Sequence, residues 1–305
     1  MKKALFYGIT SSIFFAFTFI LNSSMNLNGG NWLWSSSLRY IFMLPILYLI
    51  LLTQKDVKDV FISIKSNPIP WFFWSIIGFG MFYAPLTFAS NYGQSWLVAG
   101  CWQITILAGI LLTPLFNKNI PIKNLLMALI ILIGVFLVQY EHATQLNFKQ
   151  SLLSIIPIII AAFSYPLGNR KMMELCNDTL NTFQRIFGMT LCSTPFWIVL
   201  SIIAFYQSGL PSPSQTLQSI IVAIFSGVIA TFLFFKATEL VKENPNKLAI
   251  IESTQAGEVI FTVIGELFLL NSSMPSSIGF LGLFIIIIGM FLNSIVSSKS
   301  NIKNR

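Results

Sequence analysis

A chain of 305 residues that is 55% hydrophobic and only 9% charged cannot cover a water-facing globule, since soluble domains ordinarily carry about 25% charged residues. Its net charge of +8 comes from 18 scattered bases against 10 acids, without the basic patch or stripe of a nucleic-acid-binding face. A soluble enzyme, a disordered chain and a disulfide scaffold are excluded. An integral membrane protein in a lipid bilayer remains.

Apolar stretches of about 20 residues between polar breaks mark membrane-spanning helices. Ten follow in chain order: 4–22, 35–53, 70–90, 95–116, 124–140, 151–169, 184–206, 217–237, 248–270 and 276–297. The runs are continuous rather than alternating, which selects helices over barrel strands. Asn28-Gly29-Gly30-Asn31, Asn67-Pro68-Ile69-Pro70, Asn119-Ile120-Pro121 and Leu210-Pro211-Ser212-Pro213 punctuate the breaks. Met1-Lys2-Lys3 precedes a span-length run with no small-residue cleavage site, so the first run reads as an uncleaved helix.

Charge sets the expected orientation. With the N-terminus inside, 15 of the 18 bases fall in cytoplasmic segments, Arg170 and Lys171 among them, and Lys149 alone lies outside. Both termini are therefore expected in the cytoplasm, in a multi-pass protein of the cell membrane.

The chain also matches itself. Ala16-Phe17-Thr18-Phe19-Ile20-Leu21 in span 1 pairs with Ala162-Phe163-Ser164-Tyr165-Pro166-Leu167 in span 6, and Arg39 pairs with Arg185 at the same offset of 146. Gln103 pairs with Gln255, and Leu115-Phe116 with Leu267-Phe268, at an offset of 152. Ile133-Gly134 with Phe136-Leu137 pairs with Ile288-Gly289 and Phe291-Leu292. The order is co-linear, which gives two five-helix halves, 1–146 and 147–305. Five is odd, so the second half enters the membrane from the opposite side, and the fold class is an all-α membrane protein of two inverted five-helix repeats.

On these motifs the chain resembles a ten-helix member of the drug/metabolite transporter superfamily, close to EamA-type exporters and multidrug-resistance efflux relatives. The resemblance implies export of drugs or metabolites, commonly against a proton gradient, with spans 3, 4, 8 and 9 near the substrate path.

Seven of the ten acids lie in loops or at span ends; Glu252, Glu258 and Glu266 all fall in span 9. An acid at the bilayer centre costs about 3 kcal/mol on the insertion scale and faces the bundle interior or a watery cavity. At about 100° per residue, Glu252, Gln255, Glu258, Thr262 and Glu266 share one arc of about 120°. Glu258 sits near mid-span, with Glu252 toward the cytoplasmic mouth and Glu266 toward the outer one. In the matching stripe of span 4 only Gln103 is retained. Burial favours the neutral form of an acid, so Glu258 is the expected proton carrier, for whose carboxylate a cationic substrate would compete. Trp102 and Tyr83 are candidate aromatic walls for an organic cation.

Arg39 and Arg185 are possible charge partners for Glu252, Glu266 or an anionic substrate, although snorkelling to the interface is the plainer expectation. Trp32, Trp34, Trp71, Trp74 and Trp96 read as an interfacial belt. Gly78, Gly80 and the glycines near 279–289 read as helix-packing positions. The three cysteines and His142 have no metal-ligand spacing, and no Walker-type phosphate loop occurs, so neither a cofactor nor ATP is expected.

Secondary active export of a small molecule by proton antiport is the leading expectation, with a metabolite, amino-acid or sugar facilitator as the alternative. An intramembrane enzyme would need a nucleophile–base pair or metal cluster at membrane depth, and a scaffold would need no acidic stripe. With both halves in one chain, a monomer can form the whole pathway, and a homodimer remains open.

Overall fold

The computed structural model describes residues 1–54, 57–93, 95–143, 148–269 and 276–303. Of the expected inside–outside charges, the side chains of Lys55, Asp56, Glu141, His142, Lys149, Lys299, Lys303 and Arg305 lie outside the described ones. The fold is all-helical, 88% helix, with no strand among the described residues.

Among the described residues, seven helices are long and apolar enough to cross a membrane, and three shorter apolar helices accompany them. The first are α1 (Lys2–Leu27) and α2 (Trp32–Gln54), then the short α3 (Val57–Ser66), which no apolar run of span length announces. Its period is amphipathic: Val60 is buried while Phe61 and Ile62 are exposed. Next come α4 (Pro68–Ser75) and α5 (Met81–Ala89), continuous through a π-helical segment at Ile76–Gly80. The fourth apolar run divides into α6 (Ser95–Trp102) and α7 (Ile104–Leu111), with Gln103 at the turn between them. Then follow α8 (Ile122–Ala143), α9 (Phe148–Cys176) and α10 (Thr182–Ser208). The eighth run is α11 (Pro213–Val222) and α12 (Thr231–Glu239), joined by a longer π segment at Ala223–Ala230. The ninth is α13 (Pro245–Ser253) and α14 (Gly257–Leu269), separated by a 3₁₀ turn at Thr254–Ala256, and α15 (Ser277–Lys303) closes the chain.

Local chemistry accounts for the starts. Asn181 and Gln184 form a reciprocal capping box on α10. Ser212 and Asn244 accept the backbone N–H of Gln215 and Lys247, each ahead of a proline in the first turn. Gly209 ends α10 at φ +70°, where a side chain would be strained, and its carbonyl accepts the Trp34 indole N–H at 2.9 Å.

Packing is two-sided. α1 lies on α12 with its π segment and on α14, while α9 lies on α5 with its π segment and on α7. α2 packs on α10, and α8 on α15. Small residues permit the closest approaches, as the sequence reading expected: Gly78 meets Gly168 backbone to backbone, Gly80 faces Phe196, and Gly289 faces Ile131. Large apolar side chains such as Leu49, Phe136, Phe284 and Phe291 point outward, as a lipid-facing surface requires.

Two expectations change here. Trp34, Trp71 and Trp96 are buried between helices rather than displayed in a belt; the Trp71 indole donates to Ser63 on α3, which covers it. Arg170 is not a loop base: α9 remains helical to Cys176, and its inner face carries Arg170 into the bundle at 5% exposure.

Candidate functional site

A closed cavity lies inside the bundle, with about 10 Å³ available to water, room for a single molecule. α1 contributes Phe15, Thr18 and Phe19; α5 contributes Phe82 and Leu86; α6 contributes Trp102. Tyr165 of α9, Gln255 of the 3₁₀ turn and Glu258 of α14 complete the wall. The resemblance implied spans 3, 4, 8 and 9. The cavity instead draws on spans 1, 3, 4, 6 and 9, with span 8 one layer behind, where Phe234 stacks on Tyr165 and the hydroxyls of Ser226 and Thr18 are hydrogen-bonded. Phe19 and Tyr165 occupy matching positions of the two Ala-Phe elements, and both line the cavity.

All three span-9 glutamates are buried, as the helical arc predicts, but they do not form one site. Glu258 faces the cavity at 1% exposure and accepts the Trp102 indole N–H. Glu252 lies across the 3₁₀ turn and is held by Arg170, whose Nη2 sits 2.6 Å and 2.8 Å from the two carboxylate oxygens. Gly109 makes room for that carboxylate, since a Cβ there would overlap it. Glu266 accepts the backbone N–H of Trp96 at 3.2 Å and so caps the first turn of α6 from another helix.

Gln103 and Gln255, matched in the sequence at an offset of 152, both sit where a helix breaks. Gln103 donates to the Ala99 carbonyl, while the side-chain oxygens of Gln103 and Gln255 and the Thr262 hydroxyl are buried without a hydrogen-bond partner.

Neither arginine singled out by the sequence reading snorkels. Arg39 is 1% exposed, with its guanidinium 4.1 Å from the Tyr83 ring centroid and further from Tyr40 and Phe82. One nitrogen donates to the Thr18 hydroxyl at 3.4 Å. Arg185 is equally buried and pairs with Glu239 at 3.4 Å, not with Glu252 or Glu266. Tyr83 lies behind the cavity against Arg39, its hydroxyl bonded to Asn22.

A second, open cavity of about 260 Å³ lies at the end of the bundle that carries Lys118 and Lys242, and Arg170 forms part of its floor. Arg170 thus lines the open cavity while it pairs with the buried Glu252. Sequence reasoning missed this pair, because Arg170 carries the same loop-end signature as Lys171.

Residues 2–299 match the model of a family described as "EmrE: Putative multidrug resistance efflux transporter". The chain belongs to that family. It is 50% identical to the Bacillus subtilis (strain 168) protein "Uncharacterized protein YjlA" over 99% of this chain and 98% of that one. A Shouchella clausii relative, "Uncharacterized 42.1 kDa protein in intracellular alkaline protease 3'region", is 49% identical over 85% of this chain and 70% of its own length. A solved crystal structure shares the fold with a TM-score of 0.74 at 13% identity, over 98% of this chain and 99% of that one. Membership and the apolar helices together make this a multi-pass membrane protein of an efflux family.

Proposed function

We propose that the chain exports small molecules across the cytoplasmic membrane by proton antiport through alternating access. The observation that carries this reading is Glu258, a buried carboxylate set in the wall of a closed cavity between helices, where it can hold either a proton or the cationic group of a substrate. Proton and substrate then exclude one another, and each turnover exchanges them.

The helix pairing supports a two-state mechanism. Exchanging each helix for its counterpart in the other half turns the α1–α12 and α1–α14 contacts into α9–α5 and α9–α7, and maps α2–α10 and α8–α15 onto themselves. That pattern is expected of two inverted halves, 1–146 and 147–305, about a pseudo-two-fold axis in the membrane plane. The π segments and the glutamine breaks follow the same exchange. On this reading the open cavity is the cytoplasmic mouth, both termini are cytoplasmic, and the Arg170–Glu252 pair is the closed inner gate. Catalysis and cofactors have no part in the mechanism.

The test is transport in proteoliposomes under an imposed pH gradient. Substrate flux accompanied by proton counterflow in the wild type, lost in Glu258→Gln, is the expected result. Gradient-driven flux that survives Glu258→Gln overturns the assignment.

A further inference from the structure

Arg39 and Arg185 are counterparts at an offset of 146, yet only one is neutralised. Arg185 has Glu239, the last residue of α12, at ion-pair distance. α5 has the same nine-residue length, and its last residue is Ala89. Arg39 accordingly has no carboxylate within ion-pair distance among the described residues, and its Nε is buried with no hydrogen-bond partner. Ring faces and one threonine hydroxyl are its neighbours. A buried cation without a carboxylate is costly, and an arriving anion would relieve that cost.

The anion's place is indicated by Thr18. Its hydroxyl accepts from Arg39 and lines the central cavity together with Glu258. The guanidinium is thus one hydrogen bond behind the wall that carries the carboxylate, and it interacts electrostatically with that carboxylate. Two further wall groups, the Tyr165 hydroxyl and the Gln255 side-chain oxygen, are buried without hydrogen-bond partners. The rest of the wall is Phe15, Phe19, Phe82 and Leu86.

We infer that the central site takes a zwitterionic solute with an apolar side group, its acidic end directed to Thr18 and Arg39 and its ammonium to Glu258. Charge decides between this and a simple organic cation. With Glu258 ionised, the site holds one fixed positive and one fixed negative charge. A cation adds an uncompensated charge at low dielectric, whereas a zwitterion places each end against its opposite. The Gln255 oxygen is a second acceptor for the ammonium, and the Tyr165 hydroxyl a donor for the acid. The inference rests on the export reading and narrows its substrate class. The closed cavity is too small for such a solute, so loading requires the open state of the cycle.

A matched set of probes tests it. Leucine, leucinamide and N-acetylleucine share a side group and differ in charge, the amide being cationic at about pH 6. Binding to the purified protein is followed by quenching of tryptophan fluorescence, and flux by radiolabel in proteoliposomes. Leucine is expected to bind at least about tenfold more tightly than either relative, a difference of about 1.4 kcal/mol. Arg39→Gln is expected to erase the advantage over leucinamide, and Arg39→Lys to retain it. Exchange of a neutral zwitterion for one proton moves charge, so an inside-negative potential accelerates leucine efflux. Cation-for-proton exchange would be indifferent to that potential. Preference of the wild type for leucinamide, with proton counterflow, overturns the zwitterion assignment and leaves proton-coupled export standing. Binding of none of the three, or an order unchanged by Arg39→Gln, also overturns the assignment. Should Arg39→Gln fail to fold, the wild-type order still decides: leucine below either relative overturns the assignment.

Discussion

Arg170 holds Glu252 through a fork, Nη2 contacting both carboxylate oxygens and Nε lying 3.2 Å from Oε1. Both side chains are almost fully buried, so each compensates a charge that neither water nor lipid would. Removing one partner strands the other, at a cost of about 3–5 kcal/mol, whereas replacing both with apolar groups of similar size is close to neutral. Arg170→Met alone should therefore lower the melting temperature in detergent sharply. The double variant Arg170→Met with Glu252→Leu should recover most of the loss. Equal destabilisation by the single and double variants would show that the pair is not held by mutual compensation.

Glu258 differs in kind, because its partner is the neutral indole of Trp102 rather than a cation. Glu258→Gln keeps the shape and an acceptor oxygen but cannot exchange a proton. Folded protein with no pH-driven efflux is the expected phenotype. Trp102→Phe keeps the aromatic wall and removes the donor, with an expected loss of about 1.5–3 kcal/mol in carboxylate stabilisation. Efflux should fall about tenfold or more without being abolished, as measured by initial rates under a fixed gradient.

Glu266 provides the contrast within the same helix. Its oxygen accepts the Trp96 N–H at the start of α6, and an amide oxygen can do the same. Glu266→Gln is expected to retain proton-coupled flux, while Glu266→Ala should cost about 1.5–3 kcal/mol of stability by orphaning that donor. Flux assays on Glu258→Gln and Glu266→Gln side by side separate the proton carrier from the cap.

Outside the membrane, the Asp178 carboxylate accepts from Lys242 at 2.5 Å. That hydrogen bond, with the Lys242 charge, holds its carboxyl below the usual carboxylate range. A depressed acid contributes stability above its ordinary titration range and loses it as pH falls through the lowered value. The group is exposed, and exposed bridges are screened and contribute little. Asp178→Asn should leave the melting temperature unchanged within error at neutral pH, and the wild type should show no step in stability above about pH 5. A clear drop in either measurement would assign the loop bridge a structural role.

The large features were legible because they are compositional. Apolar length defines the helices, and three acids on one helical face cannot look at lipid, so the burial of Glu252, Glu258 and Glu266 followed from spacing alone. What each acid touches did not follow, since partners come from other helices. Arg170 is indistinguishable in sequence from Lys171, yet one turns inward to Glu252 and the other outward to Glu174. Arg39 looked like an interfacial base because its neighbours Tyr40, Phe82 and Tyr83 are dispersed in the chain and meet only after folding. The 3₁₀ turn at Thr254–Ala256 was equally hidden; Glu252 and Glu258 lie on either side of it. α3 carries no span-length signal, because half of its ten residues are polar.

Gly78 and Gly168 cross with their backbones in direct contact. A Cβ on Gly168 would overlap the backbone of Gly78, and one on Gly78 would press on Met189 and Gly168. Backbone cannot yield as a side chain does, so Gly168→Ala must separate α9 from the π segment at Ile76–Gly80. Overpacking of this kind costs about 1–3 kcal/mol. Gly80→Ala meets only the ring of Phe196, which can rotate, and should cost less. Because the π segment lies directly before α5, which carries the cavity residues Phe82 and Leu86, separation at Gly168 should also impair flux. Melting temperature and efflux should therefore fall together for Gly168→Ala and stay near wild type for Gly80→Ala; the reverse order would place the rigid crossing elsewhere.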